Sequence, residues 1–289
     1  MKYPEMPMKR IKILFVLFAI LMMGSSMSAR TLRVLSIGNS FSQDAVEQYL
    51  HELALADGDT MIIGNMYIGG CSLKRHVTNA REDKPAYKYR KIGTDGKRVE
   101  TPDVALSTAL QDEPWDYVSF QQSSPLSGQY NTWERWLPEL RNYVKSFVGK
   151  KVKLMIHQTW AYAKDSTHKG FENYGCDQDS MYNSIVAAVD KIAHKLKIKL
   201  IMPSGTAIQN ARTSFIGDHL NRDGYHLDRG VGRFTASCAW YAALTGRDVT
   251  GNSYMPEGIE PAKVAVAKAA GQAAAKSPKK VTDLSYMEP

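Results

Sequence analysis

Cysteine is scarce in this chain of 289 residues: only Cys71, Cys176 and Cys238 occur, and no two have CxxC spacing. A disulfide framework is thereby excluded and no CxxC motif is present, although a single Cys71–Cys176 bridge is compatible with an oxidising compartment. Cys238 sits on an apolar helical face and is expected to be a small buried hydrophobe. His157, His168, His219 and His226 show no HExxH or related ligand spacing, which argues against a zinc hydrolase, and no metal or other cofactor is expected. No dense basic run is interleaved with aromatics, so nucleic acid is not an expected partner. There is no internal repeat. The longest apolar run, Ile13–Met23, is too short to span a membrane comfortably.

That run has another reading. Lys9, Arg10 and Lys12 precede it, small residues from Gly24 to Ala29 follow it, and no cysteine lies just beyond. This is the layout of a secretory signal peptide without a lipid anchor; Ser26 and Ser28 suit cleavage after Ser28. The expectation is a leader over residues 1–29, an exported mature protein, and no stable membrane span once the leader is removed. The whole chain carries a formal charge of +8, and the leader holds four Lys/Arg against one Glu, so +5 remains, scattered as on a solvated surface.

The mature chain alternates β-rich runs with helical patterns, which predicts a parallel sheet covered by helices. Strands are expected at Leu32–Ile37, Met61–Met66, Asp116–Gln121, Lys153–His157 and Lys199–Met202. A helix capped by Ser42 runs on through Val46, Tyr49, Leu50 and Leu53 to Gly58. Met181–Leu196, Arg229–Thr245 and Pro261–Lys276 are further helices, the last followed by a frayed tail. Ala86–Val99 reads as an inserted β-hairpin around Gly93–Gly96, and Trp160–Asp177 as a long loop leaving the fourth strand.

Two short motifs carry chemistry. Ile37-Gly38-Asn39-Ser40-Phe41-Ser42 lies directly between the first strand and a helix, where open α/β sheets bind ligands. Backbone N–H groups at the helix start can hold a developing negative charge beside Ser40. The same tripeptide serves equally as a plain turn with an N-cap. Near the other end stands Asn221-Arg222-Asp223-Gly224-Tyr225-His226-Leu227-Asp228. A serine hydroxyl needs a base to take its proton, an imidazole suits this, and a carboxylate fixes the imidazole's tautomer. Asp223 and His226, three apart on one tight loop, meet that need locally; a capping Asp beside a surface His is the bland alternative.

Together the motifs resemble the first and last blocks of the SGNH/GDSL hydrolase superfamily, and the stretch Asp223–Gly246 looks like an exported subfamily within it. The resemblance spans roughly residues 31–250. It implies a three-layer α/β/α domain over residues 30–250 with about five parallel strands in flavodoxin-like order, residues 251–289 being packed on it or trailing from it. It implies Ser40 as nucleophile with Asp223 and His226 completing a triad. The oxyanion hole would be built from the N–H groups of Ser40 and Gly70, the latter in Met66-Tyr67-Ile68-Gly69-Gly70-Cys71-Ser72. The family's third-block Asn is absent: Phe120 leads into Gln121-Gln122, as in sugar-acetyl esterase relatives, and Gln122 is favoured over Gln121 as amide donor. Asn39 stands where the family usually has Asp. Asn39, His157 and Trp160 are candidate pocket residues, and Trp133, Trp136 and Trp160 candidate sugar-stacking rings. The expected substrate is a small-molecule or glycan ester, with a silent glycan-binding module or a lipase-like esterase as rivals.

Overall fold

A computed structural model describes residues 29–289; the expected leader lies, but for its last residue, outside the described residues. Aliphatic runs buried on both faces, such as Val34-Leu35 and Met155-Ile156, are what a parallel strand covered by helices requires. They form β1 (Thr31–Gly38), β2 (Thr60–Tyr67), β5 (Tyr117–Phe120), β6 (Lys153–His157) and β7 (Leu200–Met202), all mutually parallel. The inserted hairpin supplies β3 (Tyr87–Ile92) and β4 (Arg98–Val104), paired antiparallel at the edge. The complete order is β4-β3-β2-β1-β5-β6-β7. Without the hairpin the parallel strands follow the flavodoxin order. The second hairpin strand runs on to Val104 because an irregularity near Tyr87–Tyr89 lets Tyr87 pair with Val104.

The helices are α1 (Ser40–Val46), α2 (Leu50–Ala56), α3 (Leu73–Arg81), α4 (Leu106–Asp112), α5 (Tyr130–Phe147), α6 (Gln178–Leu196), α7 (Ser204–Arg212), α8 (Val231–Thr245) and α9 (Pro261–Lys276). They pack as two sets, α1, α2, α7, α8 and α9 against one face and α3 to α6 against the other, which gives three layers. Residues 31–289 form one compact unit.

Three expectations need correction. The first long helix is two short ones. The break begins at Glu47, whose carboxylate is drawn to Arg90, Arg98 and Asn65. Trp160–Asp177 is not wholly irregular, since Lys169–Tyr174 forms a 3-10 turn. The tail is not frayed: Asn210 Oδ1 accepts from Thr282 N at 2.7 Å, Thr213 Oγ1 accepts from Leu284 N at 2.8 Å, and Leu284 is buried.

Candidate active site

The chain leaves β1 through Gly38, where a Cβ would meet Ser42 Oγ at 2.4 Å and Gln121 Cδ at 2.9 Å. Asn39 then caps α1: its Oδ1 accepts from Phe41 N at 2.9 Å, while Ser42 Oγ accepts from Asn39 N at 3.1 Å. The cap is therefore Asn39, and Ser42 closes the reciprocal capping box. Ser40 becomes the first helical residue, at the carboxyl edge of the sheet.

His226 arrives on the loop between α7 and α8. Asp223 Oδ1 accepts from the backbone N–H of His226 at 2.7 Å and of Tyr225 at 3.2 Å, which folds the loop onto its own carboxylate. The other oxygen lies 2.7 Å from His226 Nδ1, and His226 Nε2 lies 2.8 Å from Ser40 Oγ, across 186 residues of sequence. In the neutral tautomer, Nδ1–H donates to Asp223 and Nε2 accepts the Ser40 hydroxyl. Burial raises the Asp223 carboxyl, but the hydrogen bonds from the His226 ring and from the two backbone N–H groups outweigh it and hold the group below its usual range.

Asp44, one turn after Ser40, fixes this loop to α1. Its carboxylate is fully buried and accepts from Leu227 N at 3.0 Å, from Arg222 Nη1 at 3.1 Å and from Arg233 Nη2 at 2.6 Å. Arg222 also donates to the Leu227 carbonyl. Sequence reasoning missed Asp44. The available signal was an acidic residue among the apolar positions Phe41, Ala45 and Val46, spaced i,i+4 from Ser40.

Asn39, His157 and Trp160 come together near Ser40, but beneath the site and not around a pocket: all three are buried. With donors assigned consistently, one hydrogen-bonded chain runs in a single direction. Trp240 Nε1 donates to Ser204 Oγ (3.1 Å), and Ser204 Oγ donates to His157 Nε2 (2.9 Å). His157 Nδ1 donates to Gln121 Oε1 (2.8 Å), Gln121 Nε2 to Asn39 Oδ1 (2.6 Å), and Asn39 Nδ2 to the Cys71 carbonyl (3.0 Å). Burial pushes the His157 imidazole down to about 3, so the ring is neutral, as the chain requires. Trp160 donates to the Tyr225 carbonyl and stacks on Phe41 with ring centroids 4.3 Å apart; Phe41 in turn faces the His226 ring.

Gln122, the favoured oxyanion donor, is built into the scaffold. Its Oε1 accepts from Leu73 N (2.8 Å) and Ser123 N (2.9 Å), and its Nε2 donates to Thr132 Oγ1 (3.0 Å). Gln121 spends an amide hydrogen on Asn39. By contrast, neither the Ser40 N–H nor the Gly70 N–H donates to any acceptor among the described residues. Gly70 is exposed, has φ of +60°, and occupies the third position of a turn closed by a Cys71 N to Ile68 O hydrogen bond. A Cβ there would be conformationally costly, yet would meet nothing within 4 Å.

Other candidates fall away from the site. Trp133 is buried and donates to the Ser127 carbonyl, and Trp136 is half-buried against the core with Arg135 over its ring. All three cysteines are free: Cys71 lies inside beside His76, its thiol pushed up to about 12 by burial, while Cys176 is exposed. Among the described residues no group of three or more His, Cys, Asp or Glu could hold a metal ion, and no helix is long and apolar enough to cross a membrane. Two aromatic neighbours were not anticipated: the Tyr225 ring lies 4.1 Å from the His226 ring and 4.6 Å from the His168 ring.

Comparison with family models matches residues 33–274 to the domain of unknown function DUF4886. The chain belongs to that family. A crystal structure of a DUF4886 family protein from Bacteroides uniformis ATCC 8492 is 59% identical, covers 89% of this chain and 100% of its own, and superposes with a TM-score of 0.88. More distant likenesses include a variant of Axe2, an acetyl xylan esterase from Geobacillus stearothermophilus (14% identity, 80% of this chain and 100% of that one, TM-score 0.47). TesA is similar at 11% identity, over 74% of this chain and 98% of that one, with a TM-score of 0.47. No curated protein matches the sequence.

Proposed function

We propose that the chain is an exported serine hydrolase that cleaves a carboxylic ester through an acyl-enzyme, with an O-acyl group on a carbohydrate as its substrate class. The observation that carries the reading is the continuous Ser40–His226–Asp223 hydrogen-bonded relay, with contacts of 2.8 and 2.7 Å. A capping Asp and a surface His would have no reason to aim the free imidazole nitrogen at a serine on another element.

In this mechanism Ser40 Oγ attacks the ester carbonyl as His226 Nε2 takes its proton. Asp223 keeps the tautomer and stabilises the imidazolium. The negative oxygen that forms is held by the Ser40 and Gly70 N–H groups, which the Asn39 to Cys71 hydrogen bond keeps close together. Collapse breaks the ester C–O bond, and His226 returns its proton to the departing alcohol. Water, deprotonated by His226, then releases the acid and regenerates Ser40. Gln122 acts in this scheme by holding Leu73, and with it the loop of Gly70, rather than as a donor.

The carbohydrate preference rests on the sequence resemblance to sugar-acetyl esterases. It is supported by a polar cavity of about 520 Å³ beside Asp223, lined among others by Asp165, Ser166, Asp218 and His219. In the proposed organisation, residues 1–29 are a leader, 30–250 the hydrolase domain, and 251–289 its completing helix and tail.

Labelling with a fluorophosphonate tests the core of the proposal. Wild type should be labelled and should hydrolyse a small activated acetyl ester. Ser40→Ala should lose labelling and about 10⁴-fold or more in turnover, with His226→Ala losing about as much because triad members act as a unit. An unlabelled, inactive wild type that still binds glycan would replace the hydrolase with a binding module.

A further inference from the structure

Opposite the candidate active site, at the amino-terminal edge of the sheet, β6 and β7 start beside the carboxyl ends of α5 and α6. A cavity of about 490 Å³ opens there. β6 is five residues long, so this opening lies about 16 Å from the catalytic edge along the strand direction.

Six cationic residues line the cavity, Arg141, Lys145, Lys150, Lys153, Lys197 and Lys199, and no acidic residue does. Cations outside the cavity have partners: Lys195 pairs with Glu134 at 2.7 Å, Lys279 with Asp190 at 2.6 Å and Arg81 with Glu139 at 2.6 Å. Among the described residues, Arg141, Lys145, Lys150, Lys197 and Lys199 have no ion pair. The Arg141 Nε is buried with no hydrogen-bond partner. Helix carboxyl ends favour a cation or two, but that does not require Arg141, which sits before the last turn of α5, nor Lys150 and Lys199, which lie in loops. Lys197 caps α6 with φ of +55°, a position where glycine is the usual and cheaper residue. Val152, Leu154 and Ile198 form part of an aliphatic floor, and a second cavity of about 300 Å³ shares Lys145, Lys150 and Val152. None of the residues lining either cavity is aromatic, so stacking on nucleic-acid bases has no platform here.

We propose that this cavity binds an amphiphilic oxyanion, a phosphate- or sulfate-bearing molecule whose charged group meets the Lys and Arg rim while its apolar body lies on the aliphatic floor. The rim supplies unneutralised donors for the oxyanion, and the floor explains why a bare inorganic ion is an incomplete ligand. The charged group could come from a free molecule or from a lipid headgroup in a bilayer, and the test separates the two.

Isothermal titration of the full protein with hexyl phosphate should show saturable binding at least tenfold tighter than with inorganic phosphate, weakening as salt rises. Lys145→Gln combined with Lys199→Gln should reduce it at least tenfold. Lys145→Arg with Lys199→Arg should retain it, as should Lys195→Gln outside the cavity, and equal melting temperatures would show that each variant folds. Flotation with phosphatidylcholine vesicles, with and without phosphatidylglycerol, assigns the source: capture that needs the anionic lipid and fails in the double Gln variant supports a headgroup. Equal affinity for hexyl and inorganic phosphate would overturn the proposal. So would wild-type binding by the double Gln variant, or no binding to either hexyl phosphate or anionic vesicles.

Discussion

Asp44 is where stability and chemistry should fail together. Its buried carboxylate accepts one backbone N–H from the His226 loop and is flanked by two guanidinium groups. In Asp44→Asn the side chain keeps its shape but loses its charge, and in either orientation its NH2 group faces an N–H donor, that of Arg233 on one side or those of Arg222 and Leu227 on the other. Removing one partner of a fully buried ion pair costs about 3–5 kcal/mol. The Arg222 and Arg233 side chains are 30% and 13% exposed, so water takes up part of the loss and about 2–3 kcal/mol is the better expectation. The loop would also be tied less firmly to α1 through Leu227, next to His226. A displacement of about 1 Å at the base is enough for roughly a hundredfold loss of rate. Chemical denaturation should therefore show the lower stability, and folded Asp44→Asn should hydrolyse an activated acetyl ester roughly 10- to 100-fold more slowly. Wild-type stability and turnover in this variant would refute the idea that Asp44 positions the base.

The two glutamines should separate by what each one holds. Gln122→Ala leaves the Leu73 and Ser123 N–H groups unpaired, so it should cost about 1–3 kcal/mol of stability while lowering turnover less than tenfold in the folded protein. Gln121→Ala cuts the chain below Ser40 and should lower turnover more; the reverse ranking, read from the same ester assay, would return the donor role to Gln122. Acid should destabilise the fold through two buried imidazoles. Burial pushes His76 and His157 down to about 3, whereas both have the ordinary value of about 6.5 when unfolded. Between those values the unfolded chain binds more protons, so their contribution is complete above pH 6.5 and is lost as pH falls toward 3, by about 1.4 kcal/mol per pH unit for each group. His76→Leu should remove one group's share of the slope between pH 6 and 4.5; an unchanged slope would show that His76 titrates normally.

The strands were legible because each parallel strand is a short aliphatic run, and such a run reads alike in isolation and in the sheet. Ser40, Asp223 and His226 were legible as candidates because each half is a local motif, a turn before a helix and an Asp three residues before a His, and the two halves meet through hydrogen bonds. What failed to read were properties set by register. Ile37 pairs with Phe120 across β1 and β5, so the next residue, Gln121, falls beside Asn39, and Gln122 is turned toward Leu73 and Thr132. Nothing local to Gln121-Gln122 encodes that choice. His157 stands, as expected, at the carboxyl edge of the sheet. It is closed off because Ser204 and Trp240, distant in sequence, satisfy and cover it. The ordered tail escaped notice for a similar reason: its polar partners, Asn210 and Thr213, belong to α7.

α8 follows the His226 loop in the chain, and its side chains bear on both halves of the site. Arg233, in its first turn, holds Asp44 and through it the Leu227 backbone. Trp240, seven residues and two turns later, therefore lies on nearly the same face and begins the chain that ends at the Cys71 carbonyl beside Gly70. Between them Ser237 donates to the Ala45 carbonyl of α1 at 2.9 Å. One helix thus helps register the His226 loop against α1, which starts at Ser40, and anchors the polar chain that supports the Asn39–Ser40 turn and the loop of Gly70. The 2.8 Å approach of residues 186 apart then follows from packing α8 on α1, because neither motif alone carries information about where the other lies.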